Sequence, residues 1–167
     1  IEEETAPELS QYQQVENVLT RSCSFNTCHG GTGPGKANLN FLNTIESSGS
    51  IIEALNDVPS CQYAPMMRVQ PGDPDNSWLV VKITGEYHED GTLVFEADPE
   101  WDTGLEADES GALPASTCPL VEEGEVSFGL FMPSFAASGP VPLPEGDIAL
   151  IREWILTGAS GPDQLSD

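Results

Sequence analysis

Cys23-Ser24-Phe25-Asn26-Thr27-Cys28-His29 puts two thiols and an imidazole within seven residues. Covalent attachment of a c-type haem asks for this chemistry. Two thiols must reach the two vinyl groups, and a histidine must sit beside the second thiol so that its imidazole meets the iron. The common spacing leaves two residues between the cysteines, whereas this chain has four. The extra residues lengthen the loop to the first thioether without moving Cys28 or His29. Read this way, Cys23 and Cys28 carry one covalent haem c and His29 is its proximal iron ligand. Two other readings use the same residues. Cys23 and Cys28 can form a local disulfide, with Cys61 and Cys118 forming another. A zinc site can recruit Cys23, Cys28 and His29, but it needs a fourth ligand from elsewhere, and adjacent Cys28 and His29 are poorly disposed for joint tetrahedral coordination.

Outward from this segment, the residues before it read as an amphipathic helix over about 7–21. Leu9, Tyr12, Val15, Val18 and Leu19 recur at helical spacing, Pro7 suits the first turn, and Thr5 or Ser10 can cap it. After His29, Gly30-Gly31-Thr32-Gly33-Pro34-Gly35 reads as a loop. It lacks the strand-then-helix setting and the Lys-Ser/Thr ending of a phosphate cradle. Residues 50–56 read as a short helix. Pro71-Gly72-Asp73-Pro74 makes a turn, with Asp73 capping a helix from Pro74 to about Thr84 that Gly85 closes. Residues 86–128 are acidic and turn-rich and read as an insertion, a loose hairpin with β-prone runs at 92–95 and 125–131. A closing helix follows Pro144-Glu145-Gly146-Asp147, with Ile148, Ile151, Trp154 and Ile155 on one face and Gly158 ending it. The organisation expected is a flexible acidic leader over 1–6, a single domain over 7–160 and a tail over 161–167.

The chain has 167 residues, 28 acidic against 5 basic, for a net charge of −23. Phosphate neutralisation needs Lys and Arg clusters, so nucleic-acid binding is excluded. Anionic membrane surfaces are disfavoured for the same reason. The field favours basic partners or bound cations, and adaptation to a salty medium explains it equally well. No apolar stretch approaches the ~20 residues that span a bilayer. The first residue, Ile1, points to a processed chain, and the even cysteine count fits an oxidising compartment. A periplasmic or extracellular location is therefore expected.

Beyond the haem motif, two further segments stand out: Val69-Gln70-Pro71-Gly72-Asp73-Pro74-Asp75-Asn76-Ser77 followed by Trp78-Leu79-Val80-Val81-Lys82, and Ile151-Arg152-Glu153-Trp154-Ile155-Leu156-Thr157-Gly158-Ala159 near the end. With a helix running into the Cys-x4-Cys-His motif and a later Met132-Pro133, the chain resembles a class I c-type cytochrome. It is most similar to bacterial monohaem domains with the four-residue cysteine spacing. The resemblance covers roughly residues 8–85 and 129–160, and the acidic insertion departs from it. It implies a mainly α, cytochrome c-like helical fold around one haem, and single-electron transfer between redox partners rather than enzymatic chemistry. It also implies Met132 as the sixth iron ligand, because Met132-Pro133 matches the family's Met-Pro position shortly before the last helix; a thioether opposite histidine favours ferrous iron. Met66 and Met67 compete for that role.

Arg68 and Lys82 fall in the haem-binding half. A planar guanidinium pairs well with carboxylates, so Arg68 is a candidate partner for a haem propionate, with an ordinary salt bridge as the alternative. Once the haem takes two thiols, Cys61 and Cys118 remain for a disulfide that anchors the insertion. His88, among Glu86, Glu89 and Asp90, reads as a solvated loop residue. Trp154 reads as core packing. The acids Asp98, Glu100, Asp102, Glu106, Asp108 and Glu109 do not match a calcium loop and read as a charged surface. A redox partner with a basic patch suits the acidic surface. The alternative function is a peroxidase-like haem enzyme or gas sensor, which requires an open or displaceable sixth position.

Overall fold

In the computed structural model of the protein, residues 8–25, 28–33, 39–63, 65–96, 130–135 and 139–162 are described. Among them are five α-helices and two small two-stranded sheets, so the architecture is mixed and mostly helical. The leader, Cys118, the six acids from Asp98 to Glu109, the 125–129 part of the second β-prone run and most of the tail lie outside the described residues.

Helix α1 spans Gln11–Cys23. Its start is set by a capping box: the Ser10 hydroxyl accepts the Gln13 N–H at 3.2 Å, and Gln13 Oε1 accepts the Ser10 N–H at 3.0 Å. That reciprocal pair moves the start from the expected Pro7 to Gln11. The stripe Tyr12, Val15, Val18, Leu19 and Cys23 is buried, as spacings of three and four dictate. Helix α5 (Glu145–Leu156) buries Ile151, Trp154 and Ile155 against it. Arg21 bridges Asp147 at 3.0 Å, and Thr157 Oγ1 donates to Gln11 Oε1 at 3.1 Å. One pair ties the end of α1 to the start of α5 and the other ties the start of α1 to the end of α5, so the two helices run antiparallel.

Helix α2 (Phe41–Ser48) was not legible from periodicity, since only Phe41 is buried along it. Helix α3 (Ile52–Leu55) falls inside the expected 50–56 segment. The helix expected from Pro74 is broken. Pro74–Asn76 is a 3₁₀ turn capped by Asp73, Ser77 is extended, and α4 covers Trp78–Thr84. Ser77 is held out of the helix by long-range contacts. It bridges Met67 in parallel register, and its hydroxyl accepts the Gln70 N–H at 2.8 Å while donating to the Asp73 carbonyl at 2.9 Å.

Strands β1 (Glu86–Tyr87) and β2 (Leu93–Val94) form an antiparallel hairpin, with Thr92 bridging Leu130. The expected insertion thus begins as part of the packed structure, because Leu93 and Phe95 join Tyr63, Trp78 and Phe131 in a second, aromatic cluster. Gly85 permits the approach: a Cβ there would lie 2.7 Å from both Leu93 Cδ1 and the Val81 carbonyl oxygen. Strands β3 (Ser134–Phe135) and β4 (Gly139–Pro140) form the other pair and lead into α5. The larger core gathers α1, α5, Phe41, Ile51, Leu55, Val69, Val80 and Ile83.

Candidate functional site

The motif sits where α1 ends. Cys23 is the last helical residue, buried in the core, and Cys28 follows after the loop in a half-buried position. The loop is closed by its own backbone: the Cys28 N–H donates to the Phe25 carbonyl at 2.9 Å and the His29 N–H to the Cys23 carbonyl at 3.1 Å. Both cysteines carry thiols in this structure. Burial, reinforced by nearby Cys28, pushes the Cys23 thiol up to about 12, so it stays protonated at neutral pH.

His29 is 8% exposed. Its Nδ1 lies 3.0 Å from the Leu39 carbonyl oxygen, and its ring meets Phe41 edge-on at 5.8 Å. A carbonyl can only accept, so Nδ1 carries a hydrogen, and in the neutral ring the lone pair is then on Nε2. Histidines that ligate metals are commonly oriented by such a second bond. The segment supplying Leu39 is fixed by Asn40. Its side-chain Nδ2 donates to the carbonyls of Gly30, Gly31 and Gly33 at 3.2, 3.1 and 2.7 Å, while its Oδ1 caps α2 by accepting the Asn43 N–H at 3.0 Å. Sequence reasoning missed Asn40. The signal was an N-cap residue type just before Phe41, which the weak apolar pattern of α2 left without emphasis. Gly30 is a close-approach glycine, since a Cβ there would lie 2.2 Å from the Ser24 carbonyl oxygen. The Ser24 hydroxyl is buried with no hydrogen-bond partner among the described residues.

Met132 is partly buried against the larger core, the one that contains Cys23 and Phe41. Its backbone N–H donates to the Lys82 carbonyl at 2.8 Å, which ties the Met132 segment to α4. Met66 packs instead against the aromatic cluster. Met67 contributes backbone bridges to Pro59 and Ser77. Arg68 is half-buried and donates from Nη1 to the Ala54 carbonyl at 2.8 Å, and burial lowers its guanidinium from the ordinary value. Lys82 is buried with its ammonium 6.0 Å from the Trp78 ring centre, and burial pulls it down to about 7. Trp154 is core, with Nε1 donating to the Ser160 carbonyl at 2.9 Å, and His88 is exposed in the β1–β2 turn. Cys61 is disulfide-bonded.

Among the described residues no three His, Cys, Asp or Glu side chains come together as a metal-holding group, which leaves the zinc reading without its ligand cluster. A haem iron takes only one of those residue types here, His29. The groove lined by Asp73, Asp75, Arg152, Glu153 and Leu156 lies across the 3₁₀ turn and α5, away from the motif. No protein-family model, no curated protein and no solved structure matches this chain.

Proposed function

We propose that this protein is a monohaem c-type cytochrome that passes single electrons between redox partners. Cys23 and Cys28 would hold the haem through thioethers, and His29 and Met132 would be the protein ligands of its iron. The observation that carries this reading is the His29 Nδ1–Leu39 hydrogen bond, which orients the imidazole as metal-ligating histidines commonly are, in the segment that also carries two thiols. Two further features fit the group. The orphaned Ser24 hydroxyl lies inside the loop the haem would span, and Met132 borders the same core as Cys23.

When bound, the haem supplies a one-electron ferrous–ferric couple. The residues of this chain have narrower tasks. Leu39 and Asn40 orient the imidazole, the Lys82 carbonyl ties down the Met132 backbone, and Met132 packs against the apolar core. Arg68 is proposed as a propionate partner, because a planar guanidinium pairs well with carboxylates. A disulfide between Cys61 and Cys118 and an exported location go with this reading, since disulfides persist in oxidising compartments. No described helix is long and apolar enough to cross a membrane. The net charge of −23 suits a partner with a basic patch.

Intact mass of the natively produced protein tests the cofactor: an increment of one haem is expected, and its absence ends the cytochrome reading. The ferric absorption spectrum tests the ligands. A long-wavelength Met–iron band is expected, whereas a high-spin spectrum favours an open-site haem enzyme or sensor instead.

A further inference from the structure

We propose that the β1–β2 hairpin is the docking face for the basic redox partner, with Tyr87 and Phe131 as the aromatic contact between that face and Met132. The inference rests on the cytochrome reading above and adds to it the place where the electron leaves.

The register defines the face. Glu86 pairs with Val94, Tyr87 with Leu93, and Thr92 with Leu130. Side chains alternate along a strand, and directly paired residues share a side. Glu86, Thr92, Val94 and Leu130 therefore point one way, while Leu93 and Phe131 turn inward and are buried. On the outward side, Val94 is 38% and Leu130 40% exposed; Tyr87 shares the inner side with Leu93 and Phe131 but, at the edge of the hairpin, is still 44% exposed. Between residues 86 and 96 there are four carboxylates, Glu86, Glu89, Asp90 and Glu96, and no Lys or Arg. All four are exposed.

An apolar centre inside a charged rim is the anatomy of a transient protein interface, and here the rim selects the partner's sign. A lysine-rich protein with a small apolar contact is the chemical complement. The same face leads inward. The Tyr87 ring lies 4.7 Å from the Phe131 ring, and Phe131 directly precedes Met132. The route therefore joins the exposed rim to the proposed iron ligand through one ring pair. In the step itself one electron leaves the reduced protein and the acceptor gains it, with no bond formed or broken.

The test uses the haem-loaded protein and tris(phenanthroline)cobalt(III), a one-electron acceptor that is both cationic and apolar. Glu86→Gln/Glu89→Gln/Glu96→Gln removes three rim charges, and Glu46→Gln/Glu53→Gln/Asp57→Asn removes three exposed charges on other elements. At low salt the hairpin variant is expected to be oxidised about fivefold more slowly, and the control variant to lose less than about half that effect. Val94→Lys, at an exposed position, is expected to slow the reaction as well. Equal slowing by hairpin and control variants overturns the proposal. A second readout needs no electron transfer. Redox-inert hexaamminechromium(III), added to the reduced protein, should broaden the NMR signals of Tyr87, Leu93 and Val94 first, and broadening confined to other surfaces overturns the docking face. A protein of haem-free mass fails earlier and differently: it removes the cytochrome reading itself, before either measurement on the hairpin is made.

Discussion

His29 Nδ1 and the Leu39 carbonyl oxygen, ten residues apart in the chain, lie 3.0 Å from each other. The bond requires a hydrogen on Nδ1, and Asn40, next to Leu39, holds three carbonyls of the intervening loop. The described part of this glycine-rich loop, Gly30 to Gly33, is thus held in shape by one buried amide.

That shape depends on Gly30. Gly30→Ala drives a methyl against the Ser24 backbone carbonyl, a contact that no side-chain rotation relieves. The expected cost is about 1–3 kcal/mol of stability in denaturant unfolding. Asn40→Ala leaves buried carbonyls without their donor and removes the α2 cap, and should cost ~2 kcal/mol or more. Wild-type stability in either variant would show that the loop is not held this way.

The methionines separate by the core each one borders. In haem-loaded protein, Met132→Ala should abolish the Met–iron absorption band and lower the reduction potential, on the order of 100 mV. Met66→Ala, at a residue packed among the aromatics, should leave both unchanged. The reverse pattern would move the ligand assignment to Met66.

Tyr12 gives the stability an alkaline limb. Its hydroxyl accepts the Ile51 N–H at 3.0 Å and donates to the Glu16 carboxylate, and burial followed by that carboxylate raises the phenol well above its ordinary value. A raised folded value means the contribution is complete below the unfolded value of ~10 and is lost as pH climbs beyond it. Tyr12→Phe should therefore cost ~1–2 kcal/mol at neutral pH, from the unpaired Ile51 N–H, and should flatten the decline above pH ~10. Urea unfolding at a series of pH values reads both effects.

Cys61 and Cys118 should behave as a unit. Cys61→Ser is expected to cost about 2–4 kcal/mol, Cys118→Ser the same, and the double variant no more than either alone. Additive losses would separate the two cysteines.

The closing helix was legible because Ile148, Ile151, Trp154 and Ile155 repeat at its period, and α1 was legible for the same reason, apart from a start that its capping box moved to Gln11. Helix α2 was not, because a helix with one buried residue carries almost no periodic signal. The break at Ser77 was illegible for another reason. Nothing local in Pro74-Asp75-Asn76-Ser77-Trp78 forbids a continuous helix, and it is the bridge to Met67 and the bond from Gln70 that hold Ser77 extended.

The sequence by itself determined the composition of the candidate site: two thiols and an imidazole in one segment, a strongly acidic chain, and two amphipathic helices. These are properties of residue type and spacing, and they survive whatever the chain does elsewhere. Tertiary structure alone decided the bond that orients the His29 ring, the separation of Met132 from Met66 into different cores, and the placing of the acidic hairpin one ring pair from Met132. Each depends on atoms far apart in the chain meeting within a few ångströms, and periodicity and motif spacing carry no information about such meetings.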